Sequence, residues 1–105
     1  IGPYKNKDVI KFAGKIMSSI SVDAYRAAIL SLINFDLSEQ FTKISIPILL
    51  IAGKNDIQAP AKTMLSMSKK FKNNKYIEVN DCGHLIHLEK PEIFNNAIKK
   101  FIINL

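Results

Sequence analysis

The sequence predicts an α/β fold built around two parallel strands with a helix between them. The first observation is the apolar run at residues 48–52, which lacks polar alternation and follows Pro47, as expected of a strand covered on both faces. The second is a strand-like segment at residues 75–80, which a helix-length segment separates from the first. A strand, a helix and a strand in this order almost always form a right-handed unit with parallel strands.

Two amphipathic helices are predicted before the first strand. Apolar residues recur with a period of about 3.6 from residue 6 or 7 to residue 17, and lysines occupy the other face. Ser21 is a suitable N-cap for a second helix, whose apolar stripe runs to Phe35. Residues 36–44 are expected to form a connector of one or two helical turns. We therefore divide the chain into helices at 1–36 and an α/β part at 37–105.

Two further helices complete the predicted fold. Pro60 suits the first position of a helix that extends to about Lys72. Its candidate buried residues are Met64, Leu65, Met67 and Phe71. Pro91 suits the start of the last helix, which is amphipathic. The residues of this helix that we expect to face the sheet are Phe94, Ala97, Ile98, Phe101, Ile102 and Leu105.

Each predicted strand is followed directly by a candidate catalytic side chain. Asp56 ends a turn at residues 53–56, and His84 ends the segment at residues 81–84. Because parallel strands end at the same edge of a sheet, we expect Asp56 and His84 to lie within hydrogen-bond reach of each other. A carboxylate that orients a histidine provides two of the three members of a nucleophilic triad.

The spacing of several motifs resembles the carboxyl-terminal half of the α/β-hydrolase fold, and the resemblance spans residues 37–105. The motifs that carry it are Ile46-Pro47, Gly53-x-x-Asp56, Asp81-Cys82-Gly83-His84 and Leu88-Glu89-Lys90-Pro91-Glu92-x-Phe94. In that family the triad acid follows the seventh core strand and the histidine follows the eighth. The resemblance therefore implies that Asp56 is the acid and His84 the base, and that the helices at 1–36 are the end of a lid.

The chain departs from the family pattern at the nucleophile, which should come earlier in a G-x-S-x-G turn between a strand and a helix. None of the serines has the flanking glycines of that motif; they stand at positions 18, 19, 21, 31, 38, 45, 66 and 68. A chain of 105 residues is also less than half the length of a complete fold of this family. The sequence therefore predicts a partial α/β-hydrolase fold without its nucleophile.

Other polar residues near the two candidates are expected to have structural roles. Asp81 is a possible second acid, but it lies on the histidine's own loop, so Asp56 is preferred. His87 could pair with an acid on a metal, yet no Cys or carboxylate spacing completes such a site, and we expect it to pack or hydrogen bond. Glu89 and Glu92 flank Pro91, where carboxylates favour the start of a helix.

Composition limits the possible environments and partners. Cys82 is the single cysteine, which excludes an internal disulfide and fits a reducing compartment, so we expect a buried, inert thiol and a cytoplasmic chain. The net charge of +6 comes from scattered lysines with one arginine and no base-stacking motif, which argues against nucleic-acid binding. No apolar stretch approaches the ~20 residues of a membrane span. The chain begins at Ile1 without a signal-peptide pattern, as expected of a piece of something longer.

These observations predict the acid and base segment of an enzyme that hydrolyses an ester, a lactone, an epoxide or a similar small molecule. The segment is expected to be inactive alone, to need no cofactor or metal, and to contact its substrate only within the intact enzyme. The predicted partner is a complementing amino-terminal half or a second copy in a homodimer. A different interpretation is a non-catalytic remnant that serves as a self-associating interaction module.

Overall fold

The computed structural model describes residues 6–32 and 36–105. These residues divide into two compact units, one made of residues up to 37 and the other of Ser38–Leu105. The first unit holds helices α1 (Lys7–Ser18) and α2 (Val22–Leu32). The second holds, in chain order, α3 (Ser38–Phe41), β1 (Ile48–Gly53), α4 (Ala61–Ser68), β2 (Asn74–Val79), α5 (Ile86–Glu89) and α6 (Pro91–Ile103). The amphipathic helix pair and the strand, helix and strand order are as predicted.

Side-chain caps set the starts of both helices in the first unit. Asn6 caps α1 by accepting the N–H groups of Asp8 and Val9 at 3.1 and 3.3 Å. Ser21 caps α2 as predicted, because its hydroxyl accepts the N–H of Ala24 at 3.1 Å. Residues 33–35, where the second helix was predicted to end, lie outside the described residues. The lid origin of these helices stays a prediction.

The apolar stripes of α1 and α2 are largely exposed. Ala13 is the buried residue of α1, and none of the described residues of α2 is buried. The large apolar side chains that are exposed in these helices include Ile10, Phe12, Ile16, Met17, Tyr25, Ile29 and Leu30. The amphipathic pattern therefore correctly predicts two helices, but most of their apolar side chains are not buried.

The sheet consists of β1 and β2, which pair in parallel with Ile48 opposite Asn74 and Gly53 opposite Val79. The parallel pairing confirms the prediction, and each strand differs from its predicted bounds by one residue at one or both ends. The turn after β1 and the turn after β2 therefore leave the same edge of the sheet. This edge carries the candidate site.

Burial of β1 differs between its two faces. Leu50 and Ala52 are buried, whereas Leu49 and Ile51 are half-buried. The half-buried pair lines an open apolar groove together with residues of α6, namely Phe94, Ile98, Phe101 and Ile102. The face of β1 that carries this groove is therefore only partly covered, which is less than the sequence predicted.

The helix between the strands is shorter than predicted. It begins at Ala61, with Pro60 as N-cap, and ends at Ser68 instead of near Lys72. Past Ser68 the N–H groups of residues 70 and 71 bond to carbonyls three residues earlier, so the chain tightens into turns. Leu65, which was expected to be buried, is exposed, and the buried residue of α4 is Ser68. The Ser68 hydroxyl donates to the Leu65 carbonyl.

The carboxyl-terminal part contains one helix that was not predicted and one that was. The unpredicted helix is the single turn α5, whose Ile86 packs in a core cluster with Val79 and Cys82. Helix α6 begins at Pro91 as predicted and buries Ala97. Ile102 and Leu105, which were expected to face the sheet, are exposed. Ile102 nevertheless lines the groove beside β1, whereas Leu105 lies beyond the end of α6.

Candidate active site

The candidate site lies where the two chain segments leave the sheet, and main-chain hydrogen bonds join these segments. Beyond the last residue of β1, the Lys54 N–H donates to the Val79 carbonyl at 2.8 Å. The Asn55 N–H then donates to the Cys82 carbonyl, also at 2.8 Å. The acid loop and the histidine loop are therefore fixed to each other by backbone groups.

Gly53 makes this close approach possible. A Cβ atom at this position would lie 2.1 Å from the Gly83 carbonyl oxygen and 2.6 Å from the Cys82 carbonyl oxygen. Both distances are far shorter than van der Waals contact, so a residue without a side chain is required. The turn glycine of the sequence motif thus has a steric role between the two loops.

Asp56 and His84 form a hydrogen-bonded pair. The Nδ1 atom of His84 lies 2.8 Å from Oδ2 of Asp56, which confirms the predicted distance between them. The other carboxylate oxygen, Oδ1, accepts the N–H groups of Gln58 and Ala59 at 2.8 and 3.0 Å. The Asp56 side chain is 5% exposed and the His84 side chain 43%, so the acid is enclosed and the imidazole is open to solvent.

The pKa of Asp56 is lowered from its ordinary value of 3.8. Burial acts in the opposite direction, but the hydrogen bonds from Ala59, His84 and Gln58 and the charge of His84 outweigh it. Asp56 is therefore ionised at neutral pH and can only accept hydrogen bonds, so Nδ1 of His84 carries the proton. This leaves Nε2 of His84 as the ring nitrogen that can accept a proton.

We expect the chain to lose stability in acid because of this carboxylate. A lowered pKa in the folded state contributes stability that is fully present above the ordinary value of 3.8 and is lost as pH falls through the folded value. The free energy of unfolding, measured by urea denaturation at a series of pH values from 6 to below 4, should therefore fall more steeply for the natural chain than for Asp56→Asn. Parallel curves for the two proteins would contradict the assignment.

The other polar residues of the two loops have distinct positions. Asp81 is exposed and adopts a left-handed backbone conformation with φ of 50°, and the acid that bonds His84 is Asp56. The His87 ring lies 5.9 Å from the Phe94 ring, centroid to centroid, which confirms a packing contact. Within residues 6–32 and 36–105, no three His, Cys, Asp or Glu side chains are grouped so as to hold a metal ion.

Cys82 is fully buried and free, as predicted. Burial raises the pKa of its thiol, and the nearby Glu89 carboxylate raises it further. A thiol with a raised pKa forms little thiolate at neutral pH, so Cys82 is a poor nucleophile.

Glu89 is the residue of the site whose role the sequence did not reveal. It was expected to favour the start of the last helix, but its Oε1 atom instead accepts the N–H of Gly83 at 2.9 Å. Glu89 is 5% exposed. The N-cap position of α6 is Lys90, and no side-chain hydrogen bond caps the helix there. A signal was present in the sequence, since Glu89 is the acidic residue of an otherwise largely apolar turn at residues 85–89.

Comparison with known proteins identifies the class of fold. A sequence model of the alpha/beta hydrolase fold matches residues 5–91, most of the chain. The chain therefore belongs to the α/β-hydrolase fold family.

In the described residues, no helix is long and apolar enough to cross a membrane.

The curated relatives of this chain include an esterase and an enol-lactonase. The chain is 33% identical over 93 residues to a pimeloyl-[acyl-carrier protein] methyl ester esterase of Legionella pneumophila (strain Corby), covering 89% of this chain and 39% of the relative. It is 30% identical over 102 residues to 3-oxoadipate enol-lactonase 1 of Acinetobacter baylyi, covering 94% and 37%. The chain thus spans about two fifths of the length of these relatives.

Solved structures agree on the fold. A serine hydrolase involved in carbazole degradation (CarC enzyme) matches 97% of this chain and 42% of its own, with a TM-score of 0.75 and 23% identity. The likeness shows the fold alone, over nearly the whole length of the chain. It agrees with a partial α/β-hydrolase fold, as the sequence predicted.

Proposed function

We propose that this chain supplies the acid and the base of a hydrolase that acts on an ester, a lactone or a similar small substrate. The observation that carries the proposal is the hydrogen bond of 2.8 Å between Asp56 and His84 at one edge of the parallel sheet. The names of the relatives, an esterase and an enol-lactonase, support this class of substrate. The buried free thiol of Cys82 supports a reducing compartment, and we propose the cytoplasm.

Each residue of the pair would have one task. Nε2 of His84 would take the proton of the nucleophile as that group attacks the substrate carbonyl, and would then return it to the leaving alcohol. Asp56 would keep the Nδ1 proton in place and stabilise the imidazolium that forms. In the second half of the cycle the same imidazole would activate a water molecule that releases the acid product.

The nucleophile is proposed to lie outside these 105 residues. Several serine hydroxyls are engaged in their own helices, where they donate to carbonyls three residues earlier; these are Ser18, Ser19, Ser31 and Ser68. None of the chain's serines stands in a G-x-S-x-G turn. The match covers about two fifths of these relatives, which leaves room for such a turn elsewhere in a longer protein.

The isolated chain is expected to hydrolyse activated short-chain esters no faster than the buffer, because an acid and base without a nucleophile cannot form an acyl-enzyme. The same assay is then made with the chain joined to the segment encoded directly upstream in its source genome, where we expect a G-x-S-x-G sequence. The joined protein should turn over the esters. An inactive joined protein that is folded and has the upstream motif would overturn the proposal.

A second candidate function is a self-associating interaction module, favoured by the free edge of β1. The N–H groups of Ile48 and Lys54 bond to the β2 side, so the alternate residues Leu49 and Ile51 direct their backbone groups to the opposite edge. Among the described residues no strand pairs with that edge. An apolar edge of this kind is a template for pairing with another chain.

We therefore expect the isolated chain to form a homodimer, in which the β1 edges of two copies pair antiparallel about a two-fold axis. Sedimentation equilibrium measures this directly. Leu49→Lys, which places a charge on the half-buried face of the strand, should shift the equilibrium towards monomer, while Lys99→Ala on the exposed side of α6 should not. A folded monomer that persists at high micromolar concentration would contradict the expected dimer.

A further inference from the structure

The buried carboxylate of Glu89 makes one hydrogen bond, and its burial costs free energy. Its Oε1 atom accepts the Gly83 N–H at 2.9 Å, while Oε2 is buried without a hydrogen-bond partner among the described residues. No Lys or Arg side chain of residues 6–32 and 36–105 lies within ion-pair distance of it. Burying a carboxylate without a paired charge is unfavourable, so its one bond needs a reason beyond general stability.

That bond holds one end of a single peptide group. The carbonyl of Cys82 and the N–H of Gly83 belong to the same peptide, whose planar trans geometry directs the two groups to opposite sides. The carbonyl accepts the Asn55 N–H at 2.8 Å, and the N–H donates to Glu89. The peptide is therefore fixed from the acid loop on one side and from α5 on the other.

The Cys82-Gly83 peptide lies one residue before the peptide that leads into His84. Gly83 directly precedes His84, and a glycine has more backbone freedom than any other residue, so an unrestrained Cys82-Gly83 peptide could rotate. Rotation would break both hydrogen bonds and would remove the restraint on the φ angle of Gly83, which sets the path of the chain into His84.

We propose that Glu89 is a positioning residue, which fixes the Cys82-Gly83 peptide and thereby directs Nδ1 of His84 at the Asp56 carboxylate. This inference rests on the proposed function, since it concerns how the base of that site is held. What matters is an acceptor oxygen at the distance that the Glu89 side chain reaches, so a shorter acid should fail and an amide of equal length should succeed.

The test observes the pair directly by NMR in the 105-residue chain and needs no activity. The Nδ1 proton of His84, held by Asp56, should give a downfield resonance that disappears in Asp56→Asn. The resonance should persist in Glu89→Gln, which keeps an acceptor at the same reach, and should be lost or shifted upfield in Glu89→Asp and Glu89→Leu. Glu92→Leu is the matched control, because Glu92 is exposed in the first turn of α6 and should leave the resonance unchanged.

A second measurement applies if Glu89→Leu does not fold. In the natural chain the Gly83 amide should exchange with solvent slowly, because it donates to a buried carboxylate, and this protection should remain in Glu89→Gln. Rapid exchange of Gly83 in the natural chain, or a His84 resonance that is unchanged in Glu89→Asp, would overturn the role of Glu89. A natural chain without any such resonance would overturn the proposed function as well, since there would be no pair to position.

Discussion

His84→Ala, made in the chain joined to its upstream segment, should lower kcat/KM for ester hydrolysis by at least about 10³-fold. The reason is that the substitution removes the only group proposed to accept the nucleophile's proton, while binding and the remaining polarising groups stay in place. The measurement is steady-state hydrolysis of an activated ester at neutral pH, with circular dichroism to confirm the fold. Asp56→Asn should also cause a large loss, because a neutral amide does not stabilise the imidazolium and its N–H group can donate to Nδ1, which favours the wrong tautomer.

The matched control is His87→Ala. His87 lies three residues from His84 and is exposed, and its described contact is with the Phe94 ring, so we expect activity close to that of the unmodified protein. If His87→Ala caused the large loss and His84→Ala did not, the assignment of the base would be wrong.

Gly53→Ala should unfold or rearrange the site through backbone contact alone. The added methyl group would lie 2.1 Å from the Gly83 oxygen, which is a backbone atom that cannot rotate away. Relief requires separation of the two loops, which breaks the bond between Asn55 and Cys82 and moves Asp56 from His84. We expect a loss of about 3 kcal/mol or more in the free energy of unfolding, measured by urea denaturation.

Gly14→Ala provides the control for this substitution. Gly14 lies within α1, and a Cβ atom there would have nothing within 4 Å. The same change should therefore raise helix stability by about 0.5–1 kcal/mol. A stability loss at Gly14 as large as that at Gly53 would show that the effect does not come from contact between the loops.

The parts of the fold that the sequence predicted are those determined by local pattern. Residues 48–52 and 75–80 are apolar or alternating runs that end at turn residues, and such runs specify strands before any tertiary contact is known. Parallel pairing followed from the helix between them, and the distance between Asp56 and His84 followed from the pairing. This chain of inference is short, and each step is constrained by chain geometry.

The parts that were missed depend on tertiary contacts. Helix α5 is a single turn, too short to form from its own propensity, and it exists because Ile86 packs against Val79 and Cys82. The role of Glu89 follows from that turn, since α5 places the Glu89 carboxylate within hydrogen-bond distance of the Gly83 N–H. The exposure of Ile102 could not be read from helical periodicity, which gives the face of a helix but not what covers it.

The bond between Asn55 and Cys82 has a consequence for how this site can change over evolutionary time. The two loops are joined through main-chain groups, which every amino acid except proline provides, and the Lys54 and Asn55 side chains are exposed. Substitutions at these positions can therefore alter the charge beside Asp56 without altering the distance between the acid and the histidine. The side chains around the site can therefore vary among related proteins while the distance between the acid and the histidine stays the same.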